Sequence, residues 1–339
     1  MSSIEIKNLT KVLGGKTILN NLNLTIEEGC FFTLLGPSGC GKTTTLKTIA
    51  GIYSIDEGEI LIDGKNVRNI PMEKRNTPFV FQDHLLFPHM KVFDNIAFGL
   101  KIKKLPKSEI NNKVSKIIEL LELKGLEKSY PHQLSGGQKQ RVSLGRALVT
   151  EPKVLLLDEP FSSLDINLRE TMRNLIKDLH NTFKLTIVFV THDKEEALTI
   201  SDKIALMSEG KILQVGTPYE IYEKPNSLEV ASFFGNCNVI EGLIEDNHFI
   251  NDIFNINLKV DKSSSYKSTL ISKAEDIEII LDENSSIVIY KKLYIGDRYI
   301  YTLKSQNSEL KVICNKYIDL PLGAKVKLKF LKENDLIIF

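Results

Sequence analysis

The stretch LGPSGCGKTT, residues 35–44, holds Gly36, Gly41, Lys42 and Thr43 in the spacing G-x-x-x-x-G-K-[ST]. Glycines at these positions let the backbone close around phosphate oxygens, so Pro37, Ser38, Gly39, Cys40 and Thr44 belong to the same cradle. Lys42 adds a point charge for the β and γ phosphates of a nucleotide, and Thr43 offers a hydroxyl to Mg²⁺. A second stretch, the acidic VLLLDEP, sets Asp158 and Glu159 at the end of an apolar run. One carboxylate there can hold Mg²⁺ through water, and the next can polarise an attacking water. His192 follows another apolar run, TIVFVTH, and is a candidate contact to a γ-phosphate. Gln82, in FVFQDH, matters only through its position. The remaining histidines, His84, His89, His132, His180 and His248, have no ligand spacing, and we expect no histidine metal site.

The elements that must position these groups can be read from periodicity. IEIKNLTKVL and ILNNLNLTI alternate apolar with polar residues, as two edge strands facing a core would. FFTLLG, KVLLLD and TIVFVT are continuous apolar runs, expected of strands buried on both faces. TTLKTIAGI reads as a helix, and LRETMRNLIKDLH as another with Leu168, Met172, Leu175 and Leu179 on one face. Asp193 and Glu196 have capping-box spacing for the helix KEEALTIS. Helices alternating with buried strands predict a parallel sheet, whose ligands bind at the C-terminal strand ends. Helical spacing from Pro106 to about Gly125 and after Gly137 makes residues 85–150 a mainly helical subdomain. Helical spacing disappears after Asn238. VIEGLI, FNINLKV, SIVIYKKLYIG, YIYTLK, LKVICN, AKVKLKFL and LIIF then predict an all-β domain, read as a small barrel, with KPNSLEVASFFGNCN as the connection.

Bulk properties narrow the class. The 339 residues suit two domains, and 42% hydrophobic with 26% charged residues is an ordinary globular composition. A formal net charge of +1 offers no general attraction to nucleic acid or anionic lipid. No apolar run approaches the roughly 18 residues of a membrane span. MSSIEIKNLTK has acid early and no apolar core, so we expect no signal peptide. Cys30, Cys40, Cys237 and Cys314 have no CxxC spacing and read as free thiols of a reducing compartment, which predicts a cytoplasmic chain reaching any membrane through a partner.

One motif stands apart. LSGGQKQR, beginning at Leu134, presents Ser135, Gly136, Gly137 and Gln138 at the start of a helix-forming run. Such an arrangement offers bare N–H groups to an anion, but it has no lysine where a P-loop carries one. Alone, SGG before a helix is an ordinary glycine turn. Together with the P-loop, LLLDEP, SSLD and TH, in that order within one α/β region, it resembles the ATP-binding subunits of ABC transporters over residues 1–235.

The resemblance implies an α/β P-loop NTPase, an ABC ATPase with a helical subdomain, followed over 236–339 by a C-terminal all-β, OB-like domain of the TOBE type. It implies ATP and Mg²⁺ as cofactors, with Thr43, Gln82 and Asp158 at the metal and Glu159 and His192 as catalytic groups. It also implies that two copies pair head to tail. Ser135, Gly136, Gly137 and Gln138 would then face the ATP held by the partner's P-loop, which explains the missing lysine. Asp165, in SSLD, would lie in the loop crossing that interface. DHLLFPHMKVFDNIAFGLK and VGTPYEIYEKPNSLEVASFFGNCNVIEG are similar to importer subunits for small polar solutes, with ferric iron, polyamine or phosphonate favoured over sugars. Expected partners are a second copy, integral membrane permease subunits at the cytoplasmic face and, indirectly, an extracytoplasmic solute-binding protein, with no nucleic acid. An exporter ATPase, or an ABC ATPase acting on nucleic acid or the ribosome, is the alternative. Only about a hundred residues separate Gly36 from Ser135, too few for the coiled coil of repair-type members. The sequence departs from the family pattern twice. Leu13 stands where an aromatic residue usually stacks on adenine, and ISKAEDIEI has Lys273 and Ala274 in place of Arg and Pro.

Overall fold

The alternation in the first residues folds as a hairpin, β1 (Ile4–Leu13) and β2 (Lys16–Ile26), in a computed structural model that describes residues 3–83, 85–162, 164–235, 237–260, 266–332 and 337–339. His84, Ser163 and Asn236 lie outside the described residues. The chain divides into two units, Met1–Ile221 and Tyr222–Phe339.

In the first unit β3 (Phe31–Leu35) leads into α1 (Lys42–Ala50), then β4 (Glu57–Ile62) and β5 (Lys65–Asn66). The antiparallel order β2-β1-β4-β5 makes β1 an internal strand rather than the expected edge, because β4 pairs along its other side. After α2 (Met72–Arg75) and β6 (Phe79–Val80) come three helices, α3 (Val92–Ile102), α4 (Lys107–Leu120) and α5 (Gly136–Leu148). The chain then returns to β7 (Val154–Asp158), α6 (Ile166–Phe183), β8 (Thr186–Thr191), α7 (Lys194–Ile200), β9 (Lys203–Ser208) and β10 (Lys211–Gly216). The second sheet runs β10-β9-β3-β8-β7-β6, parallel from β9 to β6 with β10 antiparallel at its edge.

The continuous apolar strands divide their side chains by the two-residue period of the pleat. Phe31, Leu155, Leu157, Ile187 and Phe189 enter one core, shared with α3–α6. Phe32, Leu34, Leu156, Val188 and Val190 enter the other, shared with α1 and the β1–β2 hairpin. Met172 and Leu179 of α6 are buried in the first core, and Leu168 and Leu175 pack against it. Burial on both faces is why these strands show no polar alternation.

Among the described residues the second unit is all-β apart from the end of the helix Pro218–Glu223, a short helix, Leu228–Phe233, and a single 3₁₀ turn. The helix Leu228–Phe233 lies inside the segment read as a plain connection, and Ser227 caps it by accepting from Val230 N (3.3 Å). The strands are β11 (Cys237–Glu245), β12 (His248–Asn251), β13 (Ile256–Lys259), β14 (Tyr266–Lys273), β15 (Ile277–Leu281), β16 (Val288–Tyr294), β17 (Arg298–Ser305), β18 (Ser308–Asn315), β19 (Val326–Phe330) and β20 (Ile337–Ile338). Among the described residues they form antiparallel sheets ordered β13-β12-β11-β14-β20, β15-β19 and β16-β17-β18. One core, including Ile244, Phe249, Leu270, Leu303 and Val312, fills the space between them. Tyr301 is fully buried there, and its hydroxyl donates to Ile318 O (2.8 Å) and accepts from Leu320 N (2.9 Å). Lys273, in the family's arginine position, sits 3.6 Å from the centre of the Tyr222 ring and 2.9 Å from the Glu223 carboxylate. A lysine can make both contacts but not the bidentate fork of an arginine.

Candidate active site

The register of the parallel sheet decides what meets at its C-terminal edge. Leu35 pairs with Thr191, Asp158 with Val190, and Val80 with Leu157. One or two residues beyond that row the chain reaches Gly36, His192, Glu159 and Gln82. Four stretches far apart in sequence therefore leave the sheet side by side, as ligand sites of open α/β sheets do.

From β3 the chain turns through the glycine loop into α1. Gly39 and Gly41 have φ of +81° and +108°, which side-chain-bearing residues adopt only with strain. A methyl group on Gly36 would lie 2.3 Å from Met207 O and 2.9 Å from Cys40 Sγ. Gly36→Ala is therefore expected to destabilise the protein by about 1–3 kcal/mol, read as a lowered midpoint in thermal unfolding. An unchanged midpoint would mean that β9 yields freely. Pro37, Ser38 and Gly39 are exposed at the tip, whereas Cys40 and Lys42 are buried. Burial raises the Cys40 thiol pKa, so it stays protonated. The N–H groups of the first turn of α1, at Lys42, Thr43 and Thr44, have no carbonyl partner within the helix. Lys42 Nζ donates to Gly36 O (2.7 Å) and Pro37 O (2.9 Å), so its charge stands inside the loop it would share with phosphate.

Thr43 Oγ1 donates to Asp158 Oδ1 (2.7 Å), joining the start of α1 to the end of β7. Asp158 is buried, and desolvation raises its pKa against the opposing effects of the Thr43 hydroxyl and the Lys47 charge. Glu159 has φ of +43°, a left-handed conformation that is costly for a glutamate and characteristic of functional turns. Its N–H donates to Val190 O (3.0 Å), and its Oε2 is 3.1 Å from His192 Nδ1. A cavity of about 80 Å³ opens beside Glu159, Ser162 and His192. Gln82 is exposed in the loop after β6, next to the β7 end that carries Asp158.

The structure brings together the glycine loop, Asp158, Glu159 and His192. It gives Ser135–Gln138 a different setting. Ser135 Oγ accepts from Gln138 N (3.3 Å) and Gln138 Oε1 accepts from Ser135 N (2.9 Å), a complete capping box at the start of α5. A methyl group on Gly137 would lie 2.7 Å from the Leu168 side chain, so this glycine also lets α6 approach. On Gly136 a methyl would meet only Leu164, at 3.7 Å. Among the described residues no hydrogen bond links Ser135 or Gln138 to the glycine loop. Asp165 caps α6, its Oδ1 accepting from Leu168 N (2.9 Å).

The capping box expected of Asp193 and Glu196 is only half made. Asp193 Oδ1 accepts from Glu195 N and Glu196 N, but the Glu196 carboxylate takes the Thr191 hydroxyl (2.5 Å) instead of the Asp193 N–H. Thr191 Oγ1 accepts that N–H (3.0 Å). Sequence reasoning passed over Met207 and Leu19, which press on Gly36 and Gly41, and Ser162 Oγ, which donates to Glu159 O (3.0 Å). Met207 and Leu19 carry no motif. Ser162 does stand in SSLD, the one signal that could have found it.

Comparison with known proteins gives the setting of this geometry. Residues 19–162 match the family model described as ABC transporter. The chain is 41% identical to the spermidine/putrescine import ATP-binding protein PotA of Haemophilus ducreyi, over 98% of this chain and 88% of that protein. It is 40% identical to the Fe(3+) ions import ATP-binding protein FbpC of Vibrio cholerae, over 92% and 90%. Among solved structures it is similar to an ATP-binding cassette in a dimeric post-hydrolysis state bound to ADP and Pi, at 31% identity and a TM-score of 0.58, covering 63% of this chain and 98% of that one. It is also similar to cbiO1 of Clostridium perfringens, part of the ABC transporter complex cbiONQ, at 31% identity and a TM-score of 0.61, covering 64% and 89%.

Proposed function

The chain belongs to the ATP-binding subunits of ABC importers, and we propose from that premise that it powers the uptake of a polyamine, hydrolysing ATP at the site formed by the glycine loop, Asp158, Glu159 and His192. The observation that carries the hydrolytic reading is the meeting of two pairs, Thr43 with Asp158 and Glu159 with His192, at one edge of the parallel sheet. The cargo reading rests on relatives matched over nearly the whole chain that import spermidine and putrescine, with ferric iron as the alternative from FbpC.

The donors fit Mg²⁺. Thr43 and Asp158 bring a hydroxyl and a carboxylate oxygen to within 2.7 Å of each other, hard ligands of the type this ion selects, and the Gln82 amide would complete the protein's set. When bound, the ion held by these residues would partly neutralise the charge of the phosphate chain. Lys42 and the amides of Gly39–Thr44 hold the phosphate chain and stabilise charge as the terminal bond breaks. Glu159 orients the attacking water and takes its proton, and His192 holds water and γ-phosphate in line. Pro37 and Ser38, exposed at the loop tip, face the entering nucleotide.

Two copies pair head to tail in this reading, and Ser135, Gly136, Gly137 and Gln138 complete the partner's ATP site while Asp165 lies at the shared interface. Capping and packing roles within one chain are compatible with this, because the α5 N-terminus keeps the outward N–H groups of its first turn. Residues 1–235, with a helical subdomain over 85–150, form the ATPase part, and 236–339 the OB-like, TOBE-type part. Membrane permease subunits dock near Gln82 and receive solute from an extracytoplasmic binding protein. Among the described residues no helix is long and apolar enough to cross a membrane, and in this reading the chain lies peripherally on the cytoplasmic face through its permease partners. Co-purification from native membranes tests the reading. A multi-span permease and a polyamine-binding protein support it, and a permease partnered by an iron-binding protein moves the cargo to ferric iron.

Leu13 bears on how tightly the base is held. It ends β1, partly buried, before a turn in which Gly14 and Gly15 have φ of +56° and +78°. An aliphatic side chain contacts a base without stacking on it, and stacking contributes about 1–3 kcal/mol. Every base has a face to stack, so Leu13→Tyr is expected to tighten binding of ATP and GTP alike by about tenfold. Unchanged affinities would remove Leu13 from the base site.

A further inference from the structure

At the opposite edge of the central sheet, where β6 and β7 begin, a cleft of about 270 Å³ opens between β5, α2 and the start of β7. Lys65, Lys74, Arg75 and Lys153 line it against one carboxylate, Asp63. Lys153 approaches that carboxylate at 3.9 Å, and among the described residues Lys65 and Lys74 have no acidic partner within ion-pair range. In a chain of net charge +1 this is a concentrated positive site. The second observation is Thr77. It lines the same cleft, is 5% exposed, and among the described residues its hydroxyl has no hydrogen-bond partner. Buried hydroxyls are almost always satisfied, and one left without a partner points to a ligand that supplies the acceptor.

The cleft is also held rigid. Arg75 Nη1 donates to Thr48 O and Ile49 O (both 2.9 Å), and its Nε donates to Ile70 O (2.8 Å). Its guanidinium thus ties α2 to the last turn of α1, lying where a side chain on Gly51 would be. A wall anchored in this way loses little freedom on binding.

We propose that this cleft binds a phosphate monoester, its oxygens taken by Lys65, Lys74 and Lys153 and by the Thr77 hydroxyl. Lysine ammonium groups act as point charges toward phosphate, and a neutral hydroxyl in their midst donates to one of its oxygens. The volume, near the lower end of small-molecule sites, suits a small phosphorylated metabolite or a single lipid headgroup, not a nucleoside triphosphate.

The test uses the full chain with its nucleotide site saturated by ADP. Equilibrium dialysis measures radiolabelled inorganic phosphate, and co-sedimentation measures binding to phosphatidylcholine vesicles with and without phosphatidic acid. Wild-type protein should bind phosphate, and Lys74→Glu/Lys153→Glu should weaken it by more than tenfold with ATP turnover retained. Thr77→Val should weaken it about tenfold without lowering the thermal midpoint, since it removes an unpaired hydroxyl. Vesicle binding that needs phosphatidic acid and is lost in the same variants, without binding of free phosphate, assigns the site to a lipid headgroup. The proposal is overturned if charge reversal leaves both kinds of binding unchanged. It is overturned equally if Thr77→Val lowers the thermal midpoint and leaves phosphate binding intact, because the hydroxyl would then be structural.

Discussion

Glu159→Gln is expected to bind ATP with near-native affinity while turnover falls by about two to four orders of magnitude, the usual contribution of a general base. The substitution keeps size and hydrogen-bonding reach but removes the group that can accept a proton from water. Glu159 is well placed for that role. Its carboxylate stands 3.1 Å from His192 Nδ1 beside a small cavity, and its amide is tied to Val190 O, which fixes the turn from which the side chain projects. Glutamine occupies the same left-handed backbone at similar cost, so the folded state should be unaffected. Single-turnover hydrolysis and nucleotide binding, measured side by side, separate the two effects. The bound but uncleaved ATP should also hold two copies together in gel filtration. Turnover within a few-fold of native would remove Glu159 from the chemistry and leave Asp158 as the carboxylate to examine.

Lys42→Ala is expected to reduce ATP affinity, hydrolysis or both by at least a hundredfold, comparable to removing one preorganised donor from a site of developing charge. The structure adds a complication. Lys42 is 4% exposed, and its ammonium group bonds the carbonyls of Gly36 and Pro37. Removing it leaves a carbonyl of the buried Gly36 without its donor, so the loop itself can suffer. Thermal unfolding without nucleotide distinguishes the cases. An unchanged midpoint with lost nucleotide binding assigns Lys42 to phosphate, whereas a lowered midpoint with equal losses would make it a strut of the loop. Affinity and turnover both within a few-fold of native would contradict the assignment altogether.

Much of the first unit was legible because its signals are local. The unbroken apolar runs at Phe31–Leu35, Val154–Asp158 and Thr186–Thr191 are strands of the central sheet, as double burial requires. The helix carrying Met172 and Leu179 lies where its periodicity placed it. Less was legible in the second unit. β12, with four residues, is too short to show alternation, and β14 begins with the polar YKST and has only Leu270 and Ile271 as adjacent apolar residues. Neither stands out until its neighbours in the sheet are known, because a strand's stability comes from its cross-strand partners. Where polar residues had two available roles, sequence spacing could not choose between them. Glu196 fits a capping box, yet it bonds Thr191, which already satisfies the Asp193 amide. Asp165 and Ser135 stand in motifs read for an interface, and within one chain both are helix caps.

By itself the sequence determined the types of chemistry present: a glycine loop with Lys42 and Thr43, an acidic pair at the end of an apolar run, and a histidine after another. These depend on neighbours a few residues apart, where backbone freedom and side-chain type suffice. Tertiary structure alone decided that they form one site. Residues 36–43, 158–159 and 192 meet because β3 lies between β8 and β9, and β7 beside β8, in a register that ends all of them on one row. Strand order and register follow from how the two cores fill on either face of the sheet. That is a property of the whole packed chain, which no short stretch of sequence contains.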